Sequence, residues 1–364
     1  MRPTYLEVNL PRLKQNLENI RAHVAPAKVM AVLKANAYGH GIDGVAPYIA
    51  PHADYIGVAL VEEGIHLREI GIHKPILVMG GTLPEQIPAF IQHNLTLAAS
   101  SLELLDAAEQ AAQSAKTKLK VHLKIDTGME RIGVHDYEAE PFLEKSLSCS
   151  HLDIEGIFSH FANSDAPDLV HAKLQLERFS EVLYFYERRS LPRPPIRHMA
   201  NSGAVLQLPE SHFDMVRPGL MFYGVYPGRD VKRTVDVKPA LTWHSRVAYS
   251  KITQPGRPVS YGSLWQPQSP ARIVTIPCGY ADGYFRRMTN QAQVIVNGKK
   301  YPQVGRICMD QFMVNVGNDD AKAGDEVILF GDGITAEDLA EWAGTNEYEV
   351  MTNISARVPR VFVR

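Results

Sequence analysis

Lys28-Val29-Met30-Ala31-Val32-Leu33-Lys34-Ala35-Asn36-Ala37-Tyr38-Gly39-His40-Gly41 is an apolar run that ends in a lysine and passes into a glycine-flanked loop. A continuous Val/Met/Leu stretch, as opposed to an alternating one, marks a strand covered on both faces. Further strands are expected at residues 55–60, 75–79, 95–98, 119–125, 154–159, 196–199 and 213–216, several of them likewise continuous runs. Amphipathic stretches lie between them. Pro11 takes a first-turn position ahead of Leu13, Leu17, Ile20 and Val24 at helical spacing, residues 101–115 are rich in Ala, Leu and Glu, and residues 169–189 are long and charged. Strands and helices alternating eight times predict an α/β fold whose first part is a (β/α)8 barrel.

Near Val235 the texture becomes β-rich, with strands expected at 241–252, 271–276, 312–316, 326–330 and 357–363. A hairpin over 293–303 is turned by Asn297-Gly298, and a short helix over 336–343 has Thr335 as its cap. With 364 residues the chain exceeds what one core usually serves. The expected organisation is a barrel domain over residues 1–234 and a mostly-β domain over 235–364.

Composition narrows the function classes. The chain is 45% hydrophobic and 21% charged with a net charge of -2, and it has no basic tract suited to a phosphate backbone, so nucleic acid is not an expected partner. No segment reaches the apolar length of a membrane span, and the first residues lack a signal-peptide pattern, so a cytoplasmic protein is expected. Cys149, Cys278 and Cys308 are odd in number and widely spaced, which suits neither a disulfide framework nor a metal site.

The polar outliers fall in one kind of place. Lys34, Asp126, Arg131, His160, Asn201, Ser202 and Arg217 all lie at or just past the C-terminal end of an expected strand, and in a barrel those ends form the mouth where active sites are built. A lysine there, close in sequence to Tyr38 and His40, is a candidate amine for condensing with a carbonyl. Taken alone, such a lysine is more often simply solvated.

The segment from Ala31 to Gly41 resembles the cofactor-lysine motif of bacterial alanine racemases, and matches to that family recur in order along nearly the whole chain. The resemblance implies a fold-type III pyridoxal-phosphate enzyme that interconverts L- and D-alanine and supplies D-alanine for peptidoglycan. It also implies a homodimer with shared active sites, and a small amino acid as substrate.

By the same resemblance, Lys34 carries the pyridoxal 5'-phosphate. Arg217, in Val216-Arg217-Pro218-Gly219, faces the pyridine nitrogen, where a guanidinium can only donate. Tyr38, Ser202 and the backbone amides of Gly219 and Leu220 hold the phosphate, with Asn201 beside them. Arg131, in Asp126-Thr127-Gly128-Met129-Glu130-Arg131, contacts the cofactor's phenolic oxygen and the substrate carboxylate, and Lys124 matches a lysine that relatives often carry as a carbamate. His160 links Arg217 to the second base, Tyr261, which comes from the other subunit. Arg217 and His160 would lower the proton affinity of Tyr261. Tyr280 matches an entrance tyrosine, and the N–H of Met309 a donor to the substrate carboxylate.

One segment departs from the pattern. Ile354-Ser355-Ala356-Arg357-Val358-Pro359-Arg360 resembles a family segment that often has a tyrosine in place of Ala356, which implies a wider entrance able to admit serine. Two other readings stay open here: a pyridoxal-dependent amino acid decarboxylase of the same architecture, and a pyridoxal-phosphate homeostasis protein. Arg217 argues against the first, which typically places a carboxylate at the ring nitrogen. The second domain argues against the other.

Overall fold

In the computed structural model, which describes residues 2–364, a short alternating strand, Tyr5–Asn9 (β1), leads into the helix Leu10–Val24. Leu13, Leu17, Ile20 and Val24 form the buried stripe of that helix, as their spacing requires. The apolar runs then fold as Lys28–Val32 (β2), Tyr55–Val58 (β3), Ile76–Val78 (β4), Thr96–Ala99 (β5), Leu119–Asp126 (β6), Leu152–Phe158 (β8), Ile196–His198 (β9) and Met215–Val216 (β10). The two-residue Val134–His135 (β7) lies beside the end of β6.

These strands pair in parallel in the order β10-β2-β3-β4-β5-β6-β8-β9. The remaining seam is bridged by Asp214 N–H to the Arg197 carbonyl at 3.0 Å and Arg217 N–H to the Ala200 carbonyl at 2.9 Å, which closes the sheet into the expected barrel. Met30, Tyr55, Leu77, Ala98, Phe158, Ile196 and Met215 pack together as a cluster fed by strands around the ring. The interior is therefore filled with side chains, as in barrels of this size. Outside, Ser101 caps Leu102–Ser114 by accepting the Leu104 N–H at 3.1 Å. No helix among the described residues is long and apolar enough to cross a membrane.

The chain divides into two compact units, one of residues 13–37 and 42–237, the other of the N-terminal residues through Arg12 with 38–41 and 238–364. The N-terminal strand therefore leaves the barrel domain in which the sequence reading placed it. The second unit comprises β1 with Leu241–Arg246 (β11), Tyr249–Thr253 (β12), Ala271–Ile276 (β13), Gln293–Val296 (β14), Lys299–Val304 (β15), Phe312–Gly317 (β16), Glu326–Phe330 (β17) and Arg360–Val363 (β18). β1 pairs antiparallel with β11 and parallel with β18, and Leu6 and Val8 on its buried face join that unit's core. Residues 241–252 form two strands where one was expected. At Val247 and Ala248 the chain exchanges partners, Val247 N–H bonding Asp325 and Ala248 N–H bonding Thr275, so β11 runs beside β17 while β12 runs beside β13. The Asn297-Gly298 hairpin forms with φ of +49° and +81°, the signs a two-residue primed turn demands. Thr335 caps Ala336–Ala343.

Burial within the barrel should decide tolerance to truncation. Leu77→Ala, at a side chain with no exposure, is expected to cost roughly 2–5 kcal/mol. Leu83→Ala, at a side chain 59% exposed, should stay within about 0.5 kcal/mol of wild type. Denaturant midpoints for the two variants check this, and equal midpoints would contradict the placement of Leu77.

Candidate active site

Five side chains read from the sequence as functional, Lys34, Lys124, Arg131, His160 and Arg217, are coupled electrostatically near the C-terminal ends of the barrel strands. Burial pushes the Lys34 amine below its usual range; the Arg131 and Arg217 guanidiniums push it further down, and Glu63 pushes back. Burial, then Arg217, Lys124, Arg131 and Lys34, hold His160 well below its usual value, so it is neutral. Burial brings Arg217 down to about 9, still charged at neutral pH. Lys124 is pulled to about 7 by burial and by Arg217 and Arg131 against the opposing Asp126.

Arg217 is 4% exposed and has no carboxylate partner among its hydrogen bonds. Nη1 donates to His198 Nδ1 at 2.7 Å, and Nη2 donates to the carbonyls of Ser159 and Met199 and to His160 Nδ1 at 3.1 Å. Because a guanidinium never accepts, both imidazoles must present a bare Nδ1 and carry their proton on Nε2. His198 then donates from Nε2 to His122 Nδ1 at 2.8 Å. His122 in turn directs its Nε2–H toward Glu155, 3.8 Å away. Despite its burial, contacts from His122, Tyr55 and Lys120 hold the Glu155 carboxylate down to about 2. Gly156 makes room for this chain, since a Cβ there would stand 2.5 Å from His122 Nδ1. His122, His198 and Glu155 were not read from the sequence as site residues.

Arg131 is presented by a loop that one carboxylate shapes. Asp126 Oδ1 accepts the N–H groups of Gly128, Met129 and Glu130, and Oδ2 accepts that of Arg131, at 2.8 to 3.1 Å. Burial opposes the charged carboxylate, but these bonds outweigh it and hold its pKa below the usual range. Arg178 Nη1 donates to the Thr127 carbonyl and His171 Nε2 meets that of Gly128, which pins the loop from outside.

Lys34 is presented differently. Ala35, Asn36, Ala37 and Tyr38 all lie in the left-handed region, with φ of 52°, 55°, 53° and 50°. No glycine invites this, and each such residue costs about 1–2 kcal/mol. The turn is held by Ala37 N–H to the Leu33 carbonyl at 2.9 Å, Ala35 N–H to Glu63 Oε1 at 2.6 Å and Ile42 N–H to Asn36 Oδ1 at 2.8 Å.

Ser202 begins the helix Ser202–Gln207, and its Oγ accepts the Met221 N–H at 3.2 Å. This contact joins two helix starts, since Gly219 and Leu220 open the turn Leu220–Tyr223. First-turn N–H groups lack intrahelical acceptors and form a natural seat for an anion. The Asn201 oxygen is committed to capping, accepting from Ala204 N–H and Ser164 Oγ.

In the β unit, Tyr38 is buried against the Tyr348 ring at 5.9 Å, and burial raises its pKa far enough to keep it a hydroxyl donor. Tyr261, Tyr280 and Met309 line one cavity of about 490 Å³ together with Arg286 and Arg306. Tyr261 is 73% exposed. The loops under it are tied by Ser260 Oγ to the Arg306 carbonyl at 2.7 Å and Tyr280 N–H to the Cys308 carbonyl at 3.0 Å.

Known proteins resemble the chain over its full length. Residues 8–227 match the family described as alanine racemase, N-terminal domain, and residues 240–362 match alanine racemase, C-terminal domain. An alanine racemase of Carboxydothermus hydrogenoformans is 45% identical, covering 100% of both chains. Among solved structures, alanine racemase of Clostridium difficile 630 superposes with a TM-score of 0.93 at 37% identity, covering 100% of this chain and 96% of that one. The enzyme from Streptomyces lavendulae gives 0.95 at 35%, with 100% and 98% covered.

The Asp126 bonds predict an acid-sensitive contribution. A carboxylate whose folded pKa is depressed stabilises fully above its unfolded value and loses that stabilisation as pH falls through the folded one. Asp126→Ala should cost roughly 1–3 kcal/mol at pH 7. The gap from wild type should close as pH drops below about 4. Unfolding free energies at several pH values check this, and a gap constant from pH 7 to acid would contradict it.

Proposed function

This chain belongs to the alanine racemase family and is an amino acid isomerase, and from that premise we propose that it interconverts L- and D-alanine with pyridoxal 5'-phosphate held on Lys34. We place it in the cytoplasm, as a homodimer with shared active sites that supplies D-alanine for peptidoglycan.

The observation that carries the reading is the buried Arg217, whose four hydrogen bonds run from Nη1 and Nη2 to imidazoles and carbonyls and none from Nε, so that Nε–H can serve an acceptor such as a pyridine nitrogen. The other residues also fit the cofactor. Lys34 has an amine held below its usual pKa, which favours the neutral nucleophile. Ser202 with the N–H groups of Gly219 and Leu220, and the Tyr38 hydroxyl, suit a phosphate. Arg131, a fork of donors, suits the phenolic oxygen and the substrate carboxylate.

When bound, pyridoxal phosphate supplies an electron sink that makes the Cα–H of an attached amino acid acidic. Arg217 would hold the ring nitrogen by donating to it without giving up its proton, which would weaken that sink and favour return of the proton to Cα. Lys34 Nζ takes or delivers the proton on one face of Cα, serving the D enantiomer. Tyr261 of the partner subunit does so on the other face, serving the L enantiomer. Met309 N–H and Arg131 orient the carboxylate, and Tyr280 narrows the approach. His160 keeps Arg217 in register with the tyrosine.

Incubation with L-alanine in deuterium oxide tests the function: rotation should vanish as deuterium enters Cα, and alanine left untouched by a cofactor-loaded protein would refute it. Tyr261→Phe should slow both directions by about two orders of magnitude or more, whereas near-wild-type rates would remove Tyr261 from the mechanism.

Ala356 lacks the ring and hydroxyl of the family's frequent tyrosine, so the proposed pocket admits serine. Relative kcat/KM for serine should lie within about tenfold of alanine and fall in Ala356→Tyr. Strict preference for alanine in the wild type would overturn this.

A further inference from the structure

Behind Lys34 stands a carboxylate that the functional reading leaves without a role. Glu63 is the third residue of the helix Val61–Glu69. Its Oε2 accepts the N–H groups of Ala59 at 2.8 Å and Leu60 at 3.1 Å, just after β3. Its Oε1 reaches across to the neighbouring strand and accepts the Ala35 N–H at 2.6 Å, just after β2. Both oxygens are thus spent on backbone donors from adjacent strand ends.

The Ala35 N–H shares a peptide plane with the Lys34 carbonyl. Fixing that N–H fixes the rotation about the Lys34 Cα–C bond and so the direction in which the lysine side chain leaves the backbone. It also fixes the first peptide of the left-handed turn at 35–38, a run of four such residues that alanine and tyrosine do not favour unaided. A helix cap alone would need only the bonds to Ala59 and Leu60.

We propose that Glu63 is a positioning residue for Lys34, its carboxylate locking the left-handed turn that aims the amine and setting a negative charge against the cations around it. The inference rests on Lys34 being the cofactor's amine. The groups that face that amine are Arg131 and Arg217, with His160 and Lys124 in the same field. Glu63 is the group in that set whose charge favours the ammonium form. Removing the charge therefore lets the Lys34 proton leave at lower pH.

The test reads Lys34 itself. The full chain freed of cofactor is labelled with acetic anhydride across a pH series, and acetylation of the Lys34 peptide is quantified by mass spectrometry. Hydrogen exchange of the segment after β2 is followed in the same proteins. In Glu63→Gln, which keeps the shape and loses the charge, the labelling midpoint should fall by about half a pH unit or more. In Glu63→Asp, which keeps the charge and loses reach, the midpoint should move less while exchange at Ala35 rises about tenfold.

A Glu63→Gln midpoint equal to wild type, or unchanged Ala35 exchange in Glu63→Asp, would reduce Glu63 to a helix cap and overturn the proposal. The midpoint is read without cofactor, so the result stands apart from whether the wild-type chain racemises alanine.

Discussion

Arg217 can only donate, and much of the barrel's interior is arranged around that fact. A guanidinium 4% exposed must place its protons on acceptors that themselves cannot carry protons at the contact, so the tautomer of each neighbouring imidazole is dictated from the arginine outward. His198 has no choice but to donate onward to His122, and His122 to turn its remaining N–H toward Glu155. A chain of neutral rings thus runs from a cation to an anion with every proton assigned by one residue's chemistry. The low proton affinities of His198 and His160, set by burial and by Arg217, keep it that way: a second proton on either ring would face the guanidinium with a donor.

The loops at the mouth follow a related economy. Arg131 and Lys34 are each carried by a loop in which a carboxylate accepts N–H groups just past a strand end. Asp126 gathers four N–H groups into the loop that carries Arg131. Glu63 gathers three from two strand ends. A carboxylate does this better than a neutral acceptor because charge-assisted bonds are stronger and each oxygen accepts more than once. Both carboxylates are thereby absorbed by the scaffold, and the cations beside them are left underbalanced.

The barrel was legible in the sequence because several strands buried on both faces write themselves as apolar runs, as 29–33 and 75–79 do. The site residues were legible where they interrupt such runs at their C-terminal ends, as Lys34 and Arg217 do. What was not legible depends on contacts distant in sequence. The left-handed turn at 35–38 has no local signature, because Ala-Asn-Ala-Tyr contains no glycine and its supporting acceptor, Glu63, lies 28 residues away. His122 and His198 are separated by 76 residues, and only closure of the barrel makes them one path. The short β1 reads as the start of the barrel domain because it precedes it, yet its pairing partners, β11 and β18, lie more than two hundred residues on. A strand's allegiance is set by which open edge it meets.

Two arginines on the same seam show how the barrel separates holding itself together from acting on a ligand. Arg197 meets the Asp214 carboxylate through Nε and Nη2 at 2.7 and 3.1 Å, and that carboxylate, more than offsetting burial, raises its pKa. Its charge is spent clasping β9 to β10. Arg217, a few residues further along the same pair of strands, is given carbonyls and neutral rings, and burial brings its pKa down to about 9. An ion pair there would have been easy to build and would have lowered the cost of burial. Leaving it out maintains an excess of positive charge at Arg217 that no hydrogen-bonded carboxylate cancels. That excess favours an anionic ligand rich in acceptors, and it costs stability in the unloaded barrel. A ligand carrying a phosphate, a phenolate and a bare ring nitrogen would recover that stability on binding.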